Sequence, residues 1–475
     1  MKHYKEYWWQ KTSNPHELVH DVVENLRDEQ SYRSDDNLNH LRLYGNIAPS
    51  TLGSLSEYST AKSSSKHRVT LNVIQSCIDT VTARIAKNKP KATFLTSGGD
   101  YSMQQKAKRL DKFVQGQFYE TGIYDVAPKV FLDACVFGTG FMKIYEHQNK
   151  IKVERTFPDE IFVDDHESRY AEPRQMFHRK AVNKDVLIHL FPEHRDAIAA
   201  AESMDSSYVS YNVAEQIPCI EAWHLPSGPG ANDGRHCIII EGATLIDESY
   251  TKDSFPFAVI RWTERLLGYF GQGLAEQLTG IQIEQNRLLN MIQEQMHLAR
   301  PKVFIEAGSQ ISKAHINNEA WGVIEYRNNP PQFFVPKTVS GEIFSHLDRL
   351  FNRAYEIAGI SMLSAQSKKP AGLESAVALR EFSDIESERF MITAQAYEKL
   401  FLDAAKQMVG LARDMHARGE KVEVISHGDK DIERINWKSV NLKEDQYVMK
   451  AYATSLLPTT PAAKLQKVIE MLQAQ

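Results

Sequence analysis

The residues best suited to metal chemistry form an acidic run, FPDEIFVDDHES. It holds five carboxylates: Asp159, Glu160, Asp164, Asp165 and Glu167. Carboxylate oxygens are the ligands that hard cations such as Mg²⁺ and Ca²⁺ prefer. The spacing does not match an EF-hand loop, and the run contains a single His rather than a pair. We therefore interpret the run as structural or surface-exposed. A carboxylate-metal hydrolase that uses its first four members remains the weakest of three hypotheses.

The sequence has no signature of nucleotide hydrolysis or of a serine nucleophile. It contains no G-x-x-x-x-G-K-[ST] phosphate-binding loop, and no Ser stands in a G-x-S-x-G turn. His178, in MFHRKAV, alternates with apolar neighbours, which predicts a position on the face of a strand. We therefore predict that the protein is not an enzyme and has no catalytic residue, no bound metal and no cofactor.

Two glycine-rich stretches are predicted to be turns. GPGANDG at 228–234 loosely resembles a nucleotide-binding loop. It contains Pro229 and lies between two strand-like runs, which favours a hairpin turn. FGTGF at 137–141 opens a strand rather than a helix, so we expect a tight helix-to-strand turn that needs a positive φ angle.

The composition is typical of a soluble globular protein. Of 475 residues, 42% are hydrophobic and 25% are charged, and the net charge of −5 argues against a strongly basic nucleic-acid binder. No apolar run approaches the ~20 residues that span a bilayer, and MKHYKEYWWQKTSNPHE at the start lacks the apolar segment of a signal peptide. Four widely spaced cysteines suggest free thiols in a reducing compartment: Cys77, Cys135, Cys219 and Cys237.

The apolar pattern divides the chain into a helical first part, a β-rich middle and a helical second part. Helical periodicity predicts helices over about 15–42, 72–87, 102–119 and 126–137. Short alternating runs predict a β-rich α+β region over about 138–262, with one helix near 183–203. Together these elements predict an α+β fold of more than one domain.

After residue 262 the sequence predicts two long helices around a small β unit. The first helix, 272–298, carries an apolar stripe: Leu274, Leu278, Ile281, Leu288, Ile292 and Met296. Gln285 is the one polar gap in the stripe, and the polar face is mostly Gln and Asn. After RPKVFI and its strand runs comes a second amphipathic helix near 343–357. A stretch rich in small residues, GISMLSAQSKKPAG, precedes a third helix from about 373 to 416.

This order of elements resembles the portal, or head-to-tail connector, proteins of tailed bacteriophages. NVIQSCIDTVTARIAKNKPKATF is similar to the helix and proline that open the portal body, and DACVFGTGFMKIY with FPDEIFVDD is similar to the strands of the family's wing. NRLLNMIQEQMHLARPKVFI resembles a first stem helix that runs into the clip. YEIAGISMLSAQSKKPAGLESA resembles the second stem helix, the channel loop and the start of the long wing helix.

The resemblance implies a portal-type architecture. Its parts would be a β-rich wing at 1–271, stem helix 1 at 272–298, a small α/β clip at 299–339, stem helix 2 at 340–358, a channel loop at 359–372, a long wing helix at 373–418 and a helical crown at 419–475. It also implies a ring of twelve subunits at one capsid vertex, assembled in the host bacterial cytoplasm. Double-stranded DNA would pass through this ring during packaging and ejection. The implied protein partners are the terminase motor, the major capsid or scaffold protein and the tail adaptors, with no membrane.

The resemblance also assigns candidate site residues. The channel loop would present Ser364, Gln366, Lys368 and Lys369 to DNA. The stem would present Glu276, Gln277, Glu284, Gln285 and Arg287 to the channel. The clip would contact the motor or adaptors through Lys302, Glu306, Lys313, Asn317 and Asn318.

The charge of the first stem helix fits a conduit. Each phosphate that a protein neutralises adds salt-dependent affinity, which would oppose sliding. Helix 272–298 carries three acidic residues, Glu276, Glu284 and Glu294, against one basic residue, Arg287. Apart from the hydrolase, the alternative is another multidomain virion assembly or adaptor protein without a DNA channel.

Overall fold

In a computed structural model of the chain, the described residues are 7–10, 14–45, 71–87, 89–96, 101–169, 172–202, 215–228, 230–298, 302–304, 332–334, 340–360, 390–427, 432–440 and 447–452. They form a mixture of helices and antiparallel sheets, which agrees with the predicted α+β class. None of the described helices has both the length and the apolar character that a membrane span requires.

The helices lie in three groups along the chain. The first group is α1 (Pro15–Glu29), α2 (Ser31–Tyr44), α3 (Val73–Ala86), α4 (Tyr101–Glu120) and α5 (Ile123–Phe137). Two short helices follow in the middle, α6 (Lys184–Leu190) and α7 (Arg195–Ala200). The last group is α8 (Leu274–Leu298), α9 (Gly341–Ala358) and α10 (Met391–Ala417). The helices predicted near 72–87, 102–119, 126–137, 272–298 and 343–357 are confirmed.

The strands are antiparallel throughout the described sheets. They are β1 (Lys91–Leu95), β2 (Thr139–His147), β3 (Lys150–Thr156), β4 (Ile161–Phe162), β5 (Gln175–Asn183), β6 (Gln216–His224), β7 (Arg235–Ile240), β8 (Ala243–Ser249), β9 (Phe257–Arg261), β10 (Lys302–Phe304), β11 (Gln332–Phe334), β12 (Glu423–His427), β13 (Ile432–Asn436) and β14 (Val448–Tyr452). The β-rich region predicted for 138–262 is confirmed, because β2 to β9 lie within it.

The β-rich middle consists of two sheets. One sheet has the strand order β3-β2-β9, and the other has the order β4-β5-β6-β7-β8. Strands β6 and β7 pair antiparallel on either side of GPGANDG, which confirms that this stretch connects a hairpin. Three two-stranded pairs complete the topology: β1 with β14, β10 with β11 and β12 with β13.

Two predicted helices are each divided in the structure. The helix expected over 15–42 breaks at Gln30, whose buried side-chain Nε2 donates to the Val163 carbonyl at 2.7 Å. This contact holds the break between α1 and α2 against the β-rich part of the chain. The helix expected near 183–203 is divided into α6 and α7 at Phe191 and Pro192. Proline has no N–H to donate and cannot continue a helix from its preceding turn.

The predicted helical crown is wrong for the described part of residues 419–475, because that part contains β12, β13 and β14. Strand β14 pairs with β1, so that Val448 lies opposite Leu95 and Lys450 lies opposite Thr93. Met449 faces inward and packs against the main core, a half-buried alternation typical of a strand. Residues 453–475 of the predicted crown lie outside the described residues, and so does the 373–389 part of the long helix.

The largest hydrophobic core joins α3, α4, α5 and α10 with β1, β2 and the start of α8. Tyr397 and Phe401 on α10 form edge-to-face aromatic contacts with Phe131 on α5 and Phe118 on α4. Such pairs add about 0.5–1.5 kcal/mol beyond the burial of area. Helix α10 is therefore tied to the first helical group across more than 250 residues of sequence.

The turn from α5 into β2 joins three parts of the fold. Gly138 has a φ angle of +90°, which confirms the expected positive φ. A Cβ atom at Gly138 would lie 2.3 Å from the carbonyl oxygen of Gly271, which stands three residues before α8. A Cβ atom at Gly140 would lie 2.0 Å from the carbonyl oxygen of Val130 in α5. Glycine is required here because backbone passes directly over backbone, and this crossing fixes the base of α8 against the core.

Candidate functional site

Helices α8 and α9 form an antiparallel pair that carries most of the described candidate site. Leu288 and Ile292 of α8 pack on Leu347 of α9, in a small apolar cluster separate from the main core. At the other end, Gln277 lies beside Ile357, since both border one 180 Å³ pocket. The two helices therefore share one narrow apolar contact strip, with the main core at its base. We call α8 and α9 together the stem hairpin.

Gln282 explains part of the amide-rich character of α8. Its side-chain Oε1 accepts hydrogen bonds from the backbone N–H of Val73 at 2.8 Å and of Ile74 at 3.3 Å. Its Nε2 donates to the carbonyl of Leu71 at 2.7 Å and to Asn286 at 3.0 Å. The first N–H groups of a helix have no partner within that helix. Gln282 therefore caps α3 from a distance and fixes α8 to it, and its side chain is buried.

The same joint includes the end of α2. Asn72, the N-cap residue of α3, accepts a hydrogen bond from the Gln75 N–H at 3.0 Å. Its Nδ2 donates to the carbonyls of Leu43 at 3.0 Å and Tyr44 at 2.8 Å, in the last turn of α2. Two side-chain amides, Asn72 and Gln282, thus satisfy backbone groups where α2, α3 and α8 meet. No local sequence pattern predicts this joint, because Gln282 and its partner Val73 lie more than 200 residues apart.

The placement of Gln285 corrects the predicted channel face. The side chain is fully buried, on the same side of α8 as Leu278 and Leu288, so it faces the inside of the subunit and not a channel. Among the described residues, neither its Oε1 nor its Nε2 has a hydrogen-bond partner. The apolar stripe therefore continues through Gln285. An amide occupies a position where burial favours an apolar residue.

The other four predicted stem residues remain accessible to different degrees. Arg287 is exposed, whereas Gln277 and Glu284 are half-buried. Glu276 is also half-buried and forms an ion pair with Arg265 at 2.6 Å, and Gln272 donates to its other oxygen at 3.2 Å. Arg265 thus offsets one of the three negative charges counted on this helix, and the outward surface is closer to neutral than predicted.

The predicted clip and channel-loop residues fall almost entirely outside the described part of the chain. Lys302 begins β10, which pairs antiparallel with β11 between α8 and α9. The remaining clip candidates, Glu306, Lys313, Asn317 and Asn318, lie in 305–331, which is not described. The channel-loop candidates Ser364, Gln366, Lys368 and Lys369 lie in 361–389, which is also not described.

The acidic run at 159–167 is divided among separate structural contacts. Asp159 accepts a hydrogen bond from Asn37, Asp164 accepts one from the His166 N–H, and Asp165 accepts one from the Tyr269 N–H. Glu160 lies 3.5 Å from Nε2 of His178, which confirms His178 as a buried residue on the face of β5. Within the described ranges, no three side chains of metal-binding type converge on one point. The contacts support the structural interpretation of this run.

One enzyme-like pattern was missed in the sequence. His16, Glu17 and His20 in HELVH match H-E-x-x-H, the zinc-binding pattern of many metalloproteases, and they lie at the start of α1. The pattern requires a third ligand for zinc. Nδ1 of His16 instead lies 3.2 Å from the Thr244 hydroxyl on β8, and the described residues supply no third ligand. The helix packs on the five-stranded sheet through Val19 and Val23.

A charged network lies between the two sheets of the β-rich middle. Lys143 on β2 forms an ion pair with Glu221 on β6, and its ammonium group is 5.2 Å from the centre of the Trp223 ring. Nε2 of His236 lies 3.1 Å from Glu221, and its Nδ1 lies 2.7 Å from Glu248. These contacts bridge strands of both sheets and fix their relative position.

The network shifts the pKa values of its members in opposite directions. Burial alone would raise the pKa of Glu221, but Lys143 and His236 lower it to about 2. Burial alone would lower the pKa of His236, but hydrogen bonds to Glu221 and Glu248 raise it. Burial lowers the pKa of the nearby His178. The charged forms of Glu221 and His236 therefore stabilise the folded state.

The described fold combines antiparallel sheets and helices with the α8–α9 helix pair. Residues 56–227 match the family model described as Phage P22-like portal protein. This match confirms the resemblance to phage portal proteins that the sequence suggested. It includes α3 to α7 and the strands from β1 to β6, but not the stem hairpin. Among curated proteins, none matches the chain.

Proposed function

We propose that this chain is a portal subunit that forms a ring at one capsid vertex. The ring would be the conduit for double-stranded DNA during packaging and ejection, and the docking platform for the terminase motor, the capsid or scaffold protein and the tail adaptors. It would assemble in the host bacterial cytoplasm and remain in the virion. The match of residues 56–227 to the portal family carries this proposal.

The order of elements after the matched region supports a portal-like division. Helix α8, the β10–β11 pair and α9 follow in the order expected for stem helix 1, clip and stem helix 2. We therefore propose residues 272–298 and 340–358 as the stem, 299–339 as the clip and 359–372 as the channel loop. Residues 1–271 and 373–418 would form the wing. Because β14 pairs with β1, we propose that residues 447–452 belong with the wing rather than with a separate helical crown.

Exposed apolar side chains on the stem hairpin support a ring. Ile283 on α8 is 53% exposed and Phe344 on α9 is 46% exposed, although both helices are otherwise amphipathic. Met296 and Ile357 are also exposed. Apolar patches of this kind mark contact surfaces, and a ring offers each subunit two neighbours. A closed ring of about twelve copies would cover the stem on both sides.

The charge of the stem supports passage of DNA rather than tight binding. Of the proposed channel face, Gln277 and Glu284 are neutral or acidic, and Arg287 supplies one positive charge. We propose that mobile contacts to DNA come from Ser364, Gln366, Lys368 and Lys369, and that Lys302, Glu306, Lys313, Asn317 and Asn318 contact the motor or the adaptors. A weakly charged passage permits sliding because few counterions are released on contact.

The experiment compares ring formation by the parent chain and by stem variants, using native mass spectrometry. Ile283→Glu and Phe344→Glu each place a charge on an exposed apolar position, so the subunit should fold while the ring loses stability. Val186→Glu on α6 is the matched control, because Val186 is similarly exposed and lies outside the stem. We expect rings for the parent and the control, and mainly monomers for the two stem variants.

Two outcomes would count against the proposal. A parent chain that stays monomeric at micromolar concentration and moderate salt would contradict a ring-forming subunit. Rings with a closed centre would favour the alternative, an assembly or adaptor protein without a DNA channel. Electron microscopy of the same samples distinguishes an open from a closed centre.

A further inference from the structure

A second surface carries an excess of positive charge. We define the basic lobe as residues 87–96, 101–120, 421–427, 432–440 and 447–452, which contain β1, α4, β12, β13 and β14. Its described residues include eleven Lys and Arg but only four Asp and Glu. The whole chain has a net charge of −5, so the positive charge is concentrated in this lobe.

The elements of the basic lobe form one continuous unit. Strand β1 pairs with β14, and the Phe94 N–H on β1 donates to Asp111 of α4 at 2.6 Å. On the other side of α4, the Ile425 N–H on β12 donates to Glu120 at 2.9 Å. Helix α4 thus lies between the two small sheets and holds both through its own carboxylates.

The four carboxylates of the lobe are used within it. Asp111 and Glu120 accept the backbone hydrogen bonds that hold the two sheets. Glu433 forms an ion pair with Lys112 at 2.6 Å, and Glu423 forms one with Lys421 at 3.0 Å. These contacts leave an excess of cations. Three exposed lysines form no ion pair with any described residue: Lys91, Lys108 and Lys450.

Two of these lysines share one outward face, and the third lies on a helix that packs against the same strand pair. Along β1, Ala92 and Phe94 face the core, so Lys91 and Thr93 face outward. Lys450 lies opposite Thr93 on β14, and directly paired residues of a sheet share one face. Lys108 is on the exposed side of α4, whose opposite side packs Leu110 and Phe113 into the core. The charges therefore belong to elements that contact one another.

We propose that the basic lobe binds the phosphate backbone of double-stranded DNA without reading its sequence. Exposed lysines on neighbouring elements, with hydroxyl and amide groups such as Thr93 and Gln115 among them, are typical of surfaces that contact phosphates. The inference rests on the proposed function, which brings duplex DNA into the same particle. An acidic polypeptide is the other chemical class that such a surface attracts, and a comparison of DNA with poly-glutamate separates the two.

The lobe and the stem hairpin are separate surfaces. Helix α4 packs on α5, α10 and the small sheets, whereas α8 packs on α2, α3, α5 and α9. DNA bound at the lobe would thus lie outside the passage formed by the stem. The two surfaces also differ in charge, since the lobe is basic while α8 and α9 together carry six acidic and three basic residues. The basic lobe favours retention of DNA, and the stem hairpin favours its movement.

The test measures binding of a fluorescein-labelled DNA duplex to the full-length protein by anisotropy, over a series of NaCl concentrations. The variant is Lys91→Gln/Lys108→Gln/Lys450→Gln. The control, Lys150→Gln/Lys152→Gln/Arg195→Gln, removes the same charge from exposed positions on β3 and α7. We expect the lobe variant to bind at least about tenfold more weakly at low salt. Its slope of log K against log [salt] should become shallower by about 0.9 for each phosphate that the variant no longer neutralises.

Three outcomes would overturn the inference. These are equal weakening by the control, unchanged affinity of the lobe variant, and tighter binding of poly-glutamate than of DNA at the lobe. Native mass spectrometry of the same samples separates this inference from the proposed function. Lobe-dependent DNA binding by a protein that forms no ring supports the inference and contradicts the portal function. If the protein forms a ring and the lobe variant binds DNA as tightly as the parent, only the inference is contradicted.

Discussion

Two glutamines on α8, less than one helical turn apart, should respond to the same substitution with opposite signs. Gln282 and Gln285 are both buried, and Leu is close to Gln in size. Gln282 satisfies two N–H groups of α3 and the carbonyl of Leu71. Within the described part of the chain, Gln285 has no hydrogen-bond partner for either side-chain atom. Replacement by Leu therefore removes a set of hydrogen bonds at position 282 and an unsatisfied buried amide at position 285.

The expected magnitudes follow from these hydrogen bonds. In Gln282→Leu, the Ile74 N–H loses its side-chain acceptor, while the Val73 N–H and the Leu71 carbonyl keep only their own backbone hydrogen bond of 3.1 Å. A buried group without a partner costs about 1–3 kcal/mol, so the unfolding free energy of the variant should fall by about 1–3 kcal/mol. In Gln285→Leu, the cost of burying an unpaired amide disappears, and the unfolding free energy should rise by about 1 kcal/mol.

The assay is urea unfolding of the two variants and the parent, followed by circular dichroism under identical conditions. The midpoint should fall for Gln282→Leu and rise or stay unchanged for Gln285→Leu. Equal destabilisation by the two Leu variants would refute the reasoning, because it would show that Gln285 also has partners.

Three further predictions concern the wing and the stem. The pKa of Glu221 is lowered to about 2, so the folded state should lose up to about 3 kcal/mol of stability as pH falls from about 4.5 towards 2. In urea titrations, Glu221→Gln should remove this part of the acid dependence. The raised pKa of His236 acts in the opposite direction. The stability that protonated His236 contributes is present below pH 6.5 and disappears as pH rises through the pKa of the folded state. His236→Gln should therefore make stability depend less on pH on the alkaline side. Gly140→Ala should prevent folding, because its Cβ would lie 2.0 Å from a backbone oxygen, whereas Gly280→Ala in open space on α8 should stabilise by about 0.5–1 kcal/mol; soluble yield and thermal melting check both. A pH profile of Glu221→Gln or His236→Gln that parallels the profile of the parent would contradict the first two expectations. A well-folded Gly140→Ala would contradict the third.

Local pattern predicted the elements better than it predicted their partners. The stripe from Leu274 to Ile292 correctly indicated α8, because helical spacing is a property of the segment itself. The same pattern marked Gln285 as a gap but could not show whether the amide faces a channel or the core. Burial depends on α9 and the wing, which are distant in sequence.

Long-range contacts account for the other differences. The break at Gln30 depends on a carbonyl at Val163, and the position of β14 depends on its pairing with β1. Neither contact has a signal within its own segment. The basic lobe was missed for a similar reason, since its lysines come from five separate segments whose local charge is ordinary. The positive excess of the lobe exists only when these five segments come together in the fold.

Imaging of the purified, assembled chain by electron microscopy tests the central claim most directly. We expect closed rings of about twelve subunits with an axial channel wide enough for duplex DNA, and with the stem hairpins lining it. Monomers, or compact oligomers with no axial channel, would contradict the claim that this chain is a portal subunit.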